Sequence, residues 1–128
     1  MTSVEVPYSI ASALPSLTVL DITNEVRREL AGCASDSGIA YVSPLGDVAL
    51  VRVQERESGF FCDLEDLLTR LVPQEEQDRE RLLCMLLGPR TEQIPLAEGQ
   101  LCLGRWQRIL LVDFAPPDEP RWNLTLLG

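Results

Sequence analysis

Residues 46–55, GDVALVRVQE, run as strand-forming residues into a carboxamide and a carboxylate, Gln54 and Glu55. An ionised glutamate is an acceptor only, so Glu55 at a strand end is suited to a cationic or amino-bearing ligand. Alternation puts Asp47, Ala49, Val51, Val53 and Glu55 on one face. Asp47 and Glu55 would then lie about 26 Å apart in a straight strand. A cooperating carboxylate pair needs less than about 10 Å, so these two are not one. Two readings stand for Glu55. In one it receives a ligand; in the other it pairs with an arginine or caps a turn. Arg52 and Arg56 fall on the opposite face while the strand stays regular.

The residue types that are missing narrow the chemistry further. The chain has no histidine and no lysine, and all 11 basic residues are arginine. No side chain has an unperturbed pKa near neutrality. An imidazole metal ligand, a Ser-His or Cys-His pair and a lysine Schiff base are excluded. Arginine stays protonated and binds anions, but it is a poor base. Acid–base work falls to carboxylates, cysteine, tyrosine or a cofactor. Cys33, Cys62, Cys84 and Cys102 are spaced 29, 22 and 18 residues apart, with no CxxC clip. Their mostly apolar neighbours favour reduced core thiols over metal or redox roles.

The net charge is −9, which opposes binding to nucleic acid and to anionic membrane. No apolar run reaches membrane-spanning length. MTSVEVPYSI carries Glu5 and no basic cluster, unlike a secretory signal, so a cytoplasmic location is expected. At 128 residues and 45% apolar content, one domain over residues 1–128 can bury its own core.

These residues need elements to position them. Val4, Val6, Tyr8 and Ile10 alternate as a first strand, with Pro7 confining it to an edge. LTVL at 17–20 is a second. Asp21 or Thr23 caps a helix whose stripe is Ile22, Val26 and Leu30. Ile39–Ser43 and Asp47–Gln54 read as strands joined by a Pro44-Leu45-Gly46 turn. Residues 57–59, ESG, break the pattern. Asp63 then caps a helix with Leu64, Leu67, Leu68 and Leu71 on one face. QEEQDRERLLCMLLG reads as a helix entering the core from solvent, with Leu82–Leu87 as core. QIPL and QLCLG flank an Ala97-Glu98-Gly99 hairpin turn. RILLVDF at 108–114 is a strand buried on both faces. RWNLTLL at 121–127 alternates Trp122, Leu124 and Leu126 against polar residues. This order predicts an α+β fold, with mainly antiparallel β-sandwich-like sheets and two or three helices.

IPLAEGQLCLGRWQRILLVDF, residues 94–114, resembles the signature of the YjbQ-like family, whose members are often called secondary thiamine-phosphate synthases. The matching pieces are Ile94-Pro95, the Gly99 turn, Leu103-Gly104, Trp106-Gln107 and Asp113-Phe114. Asp21-Ile22-Thr23, Gln54-Glu55, Asp63-Leu64, Leu71-Val72-Pro73 and Leu86-Leu87-Gly88 match earlier in the same order. The resemblance implies a small sandwich-like domain that forms a homotrimer, with pockets near subunit interfaces and histidines disposed for a metal. Here Gly46 stands where the first histidine belongs, Arg81 where another does, and a third histidine's loop is missing after Pro73.

The scaffold motifs therefore survive while the implied metal ligands and acid–base groups do not. The expectation is a non-catalytic or relic homotrimer that binds a small anionic ligand without metal or cofactor. The alternative is a metal-independent enzyme of thiamine-phosphate-related metabolism that uses Glu55 and arginines. The site residues expected are Glu55 as the reactive carboxylate, with Gln54, Arg81, Trp106 and Gln107 binding ligand. Arg81 would offer an anion bidentate hydrogen bonds, or else contact its own helix or solvent. Trp106 also reads as core or interface. Arg90, Arg105 and Arg108 are further anion candidates.

Overall fold

The computed structural model describes residues 17–33, 35–115 and 120–128. The expected strand over 3–11 lies outside them. In chain order the elements are β1 (Thr18–Asp21), α1 (Thr23–Ala31), β2 (Gly38–Pro44), β3 (Ala49–Glu55), α2 (Ser58–Leu71), α3 (Arg79–Leu86), β4 (Glu92–Ala97), β5 (Gln100–Leu101), β6 (Gln107–Asp113) and β7 (Trp122–Leu127). They form two antiparallel sheets, one ordered β1-β6-β3 and the other β5-β4-β2-β7.

The apolar run of β6 explains the layering. Residues 109–114 are buried without a break, as a strand covered on both faces requires. Ile109 and Leu111 meet Ala49 and Val51 of β3 with Val42, Ile94 and Leu96 of the other sheet, forming the core between sheets. Ile22, Val26 and Leu30 of α1 join that core as one helical stripe. Leu110, Val112, Leu50 and Val19 point the other way and pack on Phe61 and Leu68 of α2 and Leu83 and Cys84 of α3. The order of layers is thus four-stranded sheet, three-stranded sheet, helices.

β3 is an edge strand, and the segment leading into β4, with the first residue of β4, covers it. The Val51 N–H donates to the Arg90 carbonyl. The Val53 N–H donates to Glu92 Oε2 at 2.7 Å. These contacts blunt an edge that would otherwise invite pairing with another chain.

Five expectations are corrected. β2 and β3 do not pair with each other; the Pro44–Gly46 connection carries the chain from one sheet to the other. β3 starts at Ala49 and not Asp47, which lies in the turn just before it. α2 starts five residues before Asp63, at Ser58, because Glu57 accepts the Gly59 and Phe60 N–H groups. Of the leucine stripe in α2 only Leu68 is fully buried; Phe61, Glu65 and Leu68 face inward, while Leu67 and Leu71 are exposed. Likewise α3 is short and buries Leu83 and Cys84 but leaves Leu82, Met85 and Leu86 exposed.

Candidate functional site

The candidate site grows from Asp21, where β1 ends and α1 begins. Its carboxylate is 3% exposed. Oδ1 accepts the Thr23 N–H at 3.0 Å and the Thr23 hydroxyl at 2.6 Å. Thr23 Oγ1 in turn accepts the Ile109 N–H at 2.7 Å, tying α1 to β6. Oδ2 accepts Arg108 Nε at 2.7 Å and Arg56 Nη1 at 3.1 Å. Burial pushes the Asp21 carboxyl up, but the Thr23 and Arg108 hydrogen bonds and the Arg108 charge outweigh it, leaving the pKa below the ordinary 3.8.

Asp21 thus holds two guanidiniums at the wall of an open cleft. The cleft measures about 540 Å³ and is lined by Glu55, Arg56, Glu57, Arg105, Trp106 and Arg108, with Asn24 of α1. Arg105 lies over the Trp106 ring, its guanidinium carbon 4.9 Å from the ring centroid. Among the described residues Arg105 has no carboxylate partner. Trp106 is 64% exposed. The turn that presents this pair is closed by Gln107: its N–H donates to the Gly104 carbonyl, and its Oε1 accepts the Gly104 N–H at 2.6 Å.

The expected site residues divide accordingly. Glu55 and Trp106 meet in the cleft. Gln107 is the register partner of Glu55 across β3 and β6, but its side chain is spent on the 104–107 turn. Gln54 points to the helix side, at a separate apolar cavity. Arg81 is not in the cleft; its side chain is 79% exposed, and it pairs with Asp78 at 3.6 Å on α3. Asp21 was legible as a helix cap and as part of the Asp21-Ile22-Thr23 motif, but its pairing with Arg56 and Arg108 depends on strand register. Arg105 and Arg108 were among the anion candidates, and they line the cleft, whereas Arg90 does not; Arg56, expected on the face opposite Glu55, also lines it.

The cleft can recognise charge and a planar face. Arg105 offers an uncommitted fork of donors, and Arg108 keeps donors beyond the Nε that Asp21 uses. Glu57 is committed to the α2 N-terminus, since Oε1 and Oε2 accept the Gly59 and Phe60 N–H groups. Glu55 is left as the carboxylate able to receive an amino group.

The metal implied by the resemblance does not fit. At Gly46 there is no side chain, and a Cβ there would stand 3.2 Å from Asp113 Oδ2. The Arg90 guanidinium takes the adjoining ground, donating to the Ala49 and Gly46 carbonyls. Burial raises the Asp113 carboxyl above 3.8, and the Ala115 N–H bond and the Arg90 charge only partly oppose this. Among the described residues no three of His, Cys, Asp or Glu converge as a metal site would require.

The YjbQ-like UPF0047 description matches residues 12–128. A UPF0047 protein of Mycobacterium bovis is 34% identical over 119 residues, covering 84% of this chain and 88% of that one. The crystal structure of a hypothetical protein from Aeropyrum pernix superposes with TM-score 0.76 at 29% identity, covering 88% of this chain and 90% of that one. An uncharacterised YjbQ/UPF0047 protein of Clostridium acetobutylicum shares the fold, with TM-score 0.78 at 22% identity over 95% of this chain and 99% of that one. The chain belongs to the YjbQ-like UPF0047 family.

Proposed function

We propose that this family member is a non-catalytic protein that binds a small anionic ligand in the cleft between Arg56, Arg105, Arg108 and Trp106, and that it works as a homotrimer. One observation carries the reading: Arg105 stacks on an exposed Trp106 with no carboxylate partner among the described residues, facing two arginines that Asp21 holds in place. An anionic group takes the guanidinium donors, a ring takes the Trp106 face, and an amino substituent takes Glu55. With no histidine or lysine, and with Glu57 held as a helix cap, the cleft lacks a paired acid and base. No helix is long and apolar enough to cross a membrane. The four cysteines are free, which suits a reducing compartment and supports a cytoplasmic location, although only Cys84 is the core thiol expected and Cys33, Cys62 and Cys102 are exposed.

The test is calorimetric titration with inorganic phosphate at low salt, against the Arg105→Ala variant. Saturable binding that weakens about tenfold in the variant supports the reading, as loss of a charge-assisted contact does elsewhere. Equal heats from both proteins refute it. A second reading, a metal-independent enzyme of thiamine-phosphate-related metabolism, is favoured by Glu55 sharing the cleft with arginines. It requires turnover that disappears in Glu55→Gln, while the binding role predicts an unchanged phosphate affinity there.

A further inference from the structure

A second cavity of about 190 Å³ lies on the helix side of the three-stranded sheet. Leu50, Phe61, Leu64, Leu110 and Val112 line it, and Gln54 and Phe60 stand among its walls. Phe60 is 43% exposed and meets Phe61 edge-on at 5.2 Å between ring centroids. Arg52, also in the wall, is committed to the Leu87 carbonyl at 2.7 Å. Gln54 has no side-chain hydrogen bond among the described residues. An apolar cavity of about 150 Å³ holds a benzene-sized group in other proteins, so this one has room for a ring or a short alkyl chain.

Its position gives it meaning. On β6, Arg108 lines the cleft and Leu110 lines the cavity, two residues along the same strand face and therefore about 7 Å apart. On β3, Gln54 lines the cavity and Arg56, just past the strand end, lines the cleft. Across the turn into α2, Glu57 belongs to the cleft and Phe60 to the cavity. Gln54 and Arg108 are register partners, so the boundary between the two spaces is one residue pair wide.

Resting on the proposed anion site, we infer that the ligand is amphipathic: its anionic head sits against Arg56 and Arg108, and a short apolar or aromatic tail enters the cavity past Gln54 and Phe60. Charge complementarity selects the head, and the apolar walls select the tail. Gln54 supplies the polar contact where the two parts join.

The experiment compares inorganic phosphate with hexyl phosphate by calorimetry, and follows the Leu50, Leu110 and Val112 methyl groups by NMR. Hexyl phosphate is expected to bind at least about tenfold more tightly, from burial of its alkyl chain. It alone should shift those methyl signals. Leu64→Trp fills the cavity and is expected to abolish the gain while leaving phosphate binding as it was. Should that variant unfold, the methyl shifts in the native chain decide. Hexyl phosphate binding no tighter than phosphate, with unmoved methyl signals, overturns the inference and leaves the anion site standing. Absence of arginine-dependent binding by either probe overturns both.

Discussion

Arg108 Nε and Asp21 Oδ2 meet at 2.7 Å across 87 residues of sequence. The pair closes the space between β1, α1 and β6, and Arg56 joins it from the end of β3. The Asp21 side chain is almost fully buried, so removing it strands guanidiniums and a helix N-terminus together. Asp21→Ala is expected to cost about 1–3 kcal/mol in urea unfolding, the range for leaving hydrogen-bond donors unpaired, because Arg108 and Arg56 keep partial access to solvent. The pH dependence has a definite sign. The folded pKa is depressed, so the stability Asp21 supplies is fully present above the unfolded value of about 3.9 and is lost as pH falls through the folded pKa. Asp21→Asn should flatten that acid limb of the stability curve.

Gln107 positions the Arg105–Trp106 pair without facing a ligand itself. Its carboxamide accepts the Gly104 N–H and so fixes the turn. Gln107→Ala should lower Trp106 fluorescence anisotropy and weaken phosphate binding. Gln107→Glu keeps an acceptor at the same place and should restore the anisotropy. Anisotropy unchanged in Gln107→Ala would sink this role.

Legibility in the sequence followed locality. β6 was readable because an unbroken apolar run has one natural place, between two layers. The β4–β5 hairpin was readable from Glu98-Gly99. The start of α2 was not, because glutamate is an uncommon N-cap and Ser58-Gly59 resembles a break. Leu82, Met85 and Leu86 matched a core pattern, yet α3 presents them to solvent, and hydropathy cannot tell a core from an uncovered face. The cleft was half legible. Glu55 and Trp106 are motif residues, but their meeting with Arg56 and Arg108 depends on the β1–β6–β3 register, which no local pattern encodes.

The hairpin turn carries a small strain. Glu98 has φ +54° and Gly99 φ +76°, the two positive values of a type I′ turn. Glycine accepts this freely; glutamate does not, and asparagine is favoured at that first position. Glu98→Asn is expected to stabilise the chain by about 0.5–1 kcal/mol, with no change in phosphate binding. Thermal unfolding checks it, and a lower midpoint would contradict the turn assignment.

Asp113 behaves oppositely to Asp21. Its folded pKa lies above the ordinary value because burial dominates. Its ionised form therefore costs stability at neutral pH. That cost is fully present above the folded pKa and vanishes below the unfolded value. Asp113→Asn keeps an acceptor for the Ala115 N–H at 2.9 Å and removes the buried charge. It should raise the urea midpoint at pH 7 and leave it unchanged near pH 3. A lower midpoint at pH 7 would mean that the Arg90 charge outweighs desolvation.

The helix layer leaves apolar side chains in water. Leu71 is 59% exposed on α2 and Met85 81% exposed on α3, with Leu67, Leu82 and Leu86 exposed beside them in sequence. Scattered exposed apolar residues are ordinary, but with Phe60 the helix layer carries six among the described residues, a face that association would cover. In the proposed homotrimer this face supplies subunit contacts, and sedimentation should report about three times 14.3 kDa. Leu71→Ser with Met85→Ser should shift the mass to a single chain without loss of secondary structure, because neither side chain belongs to the helix-side core. A native chain that sediments as a monomer at micromolar concentration removes the assembly. A double variant that stays trimeric moves the interface off these helices.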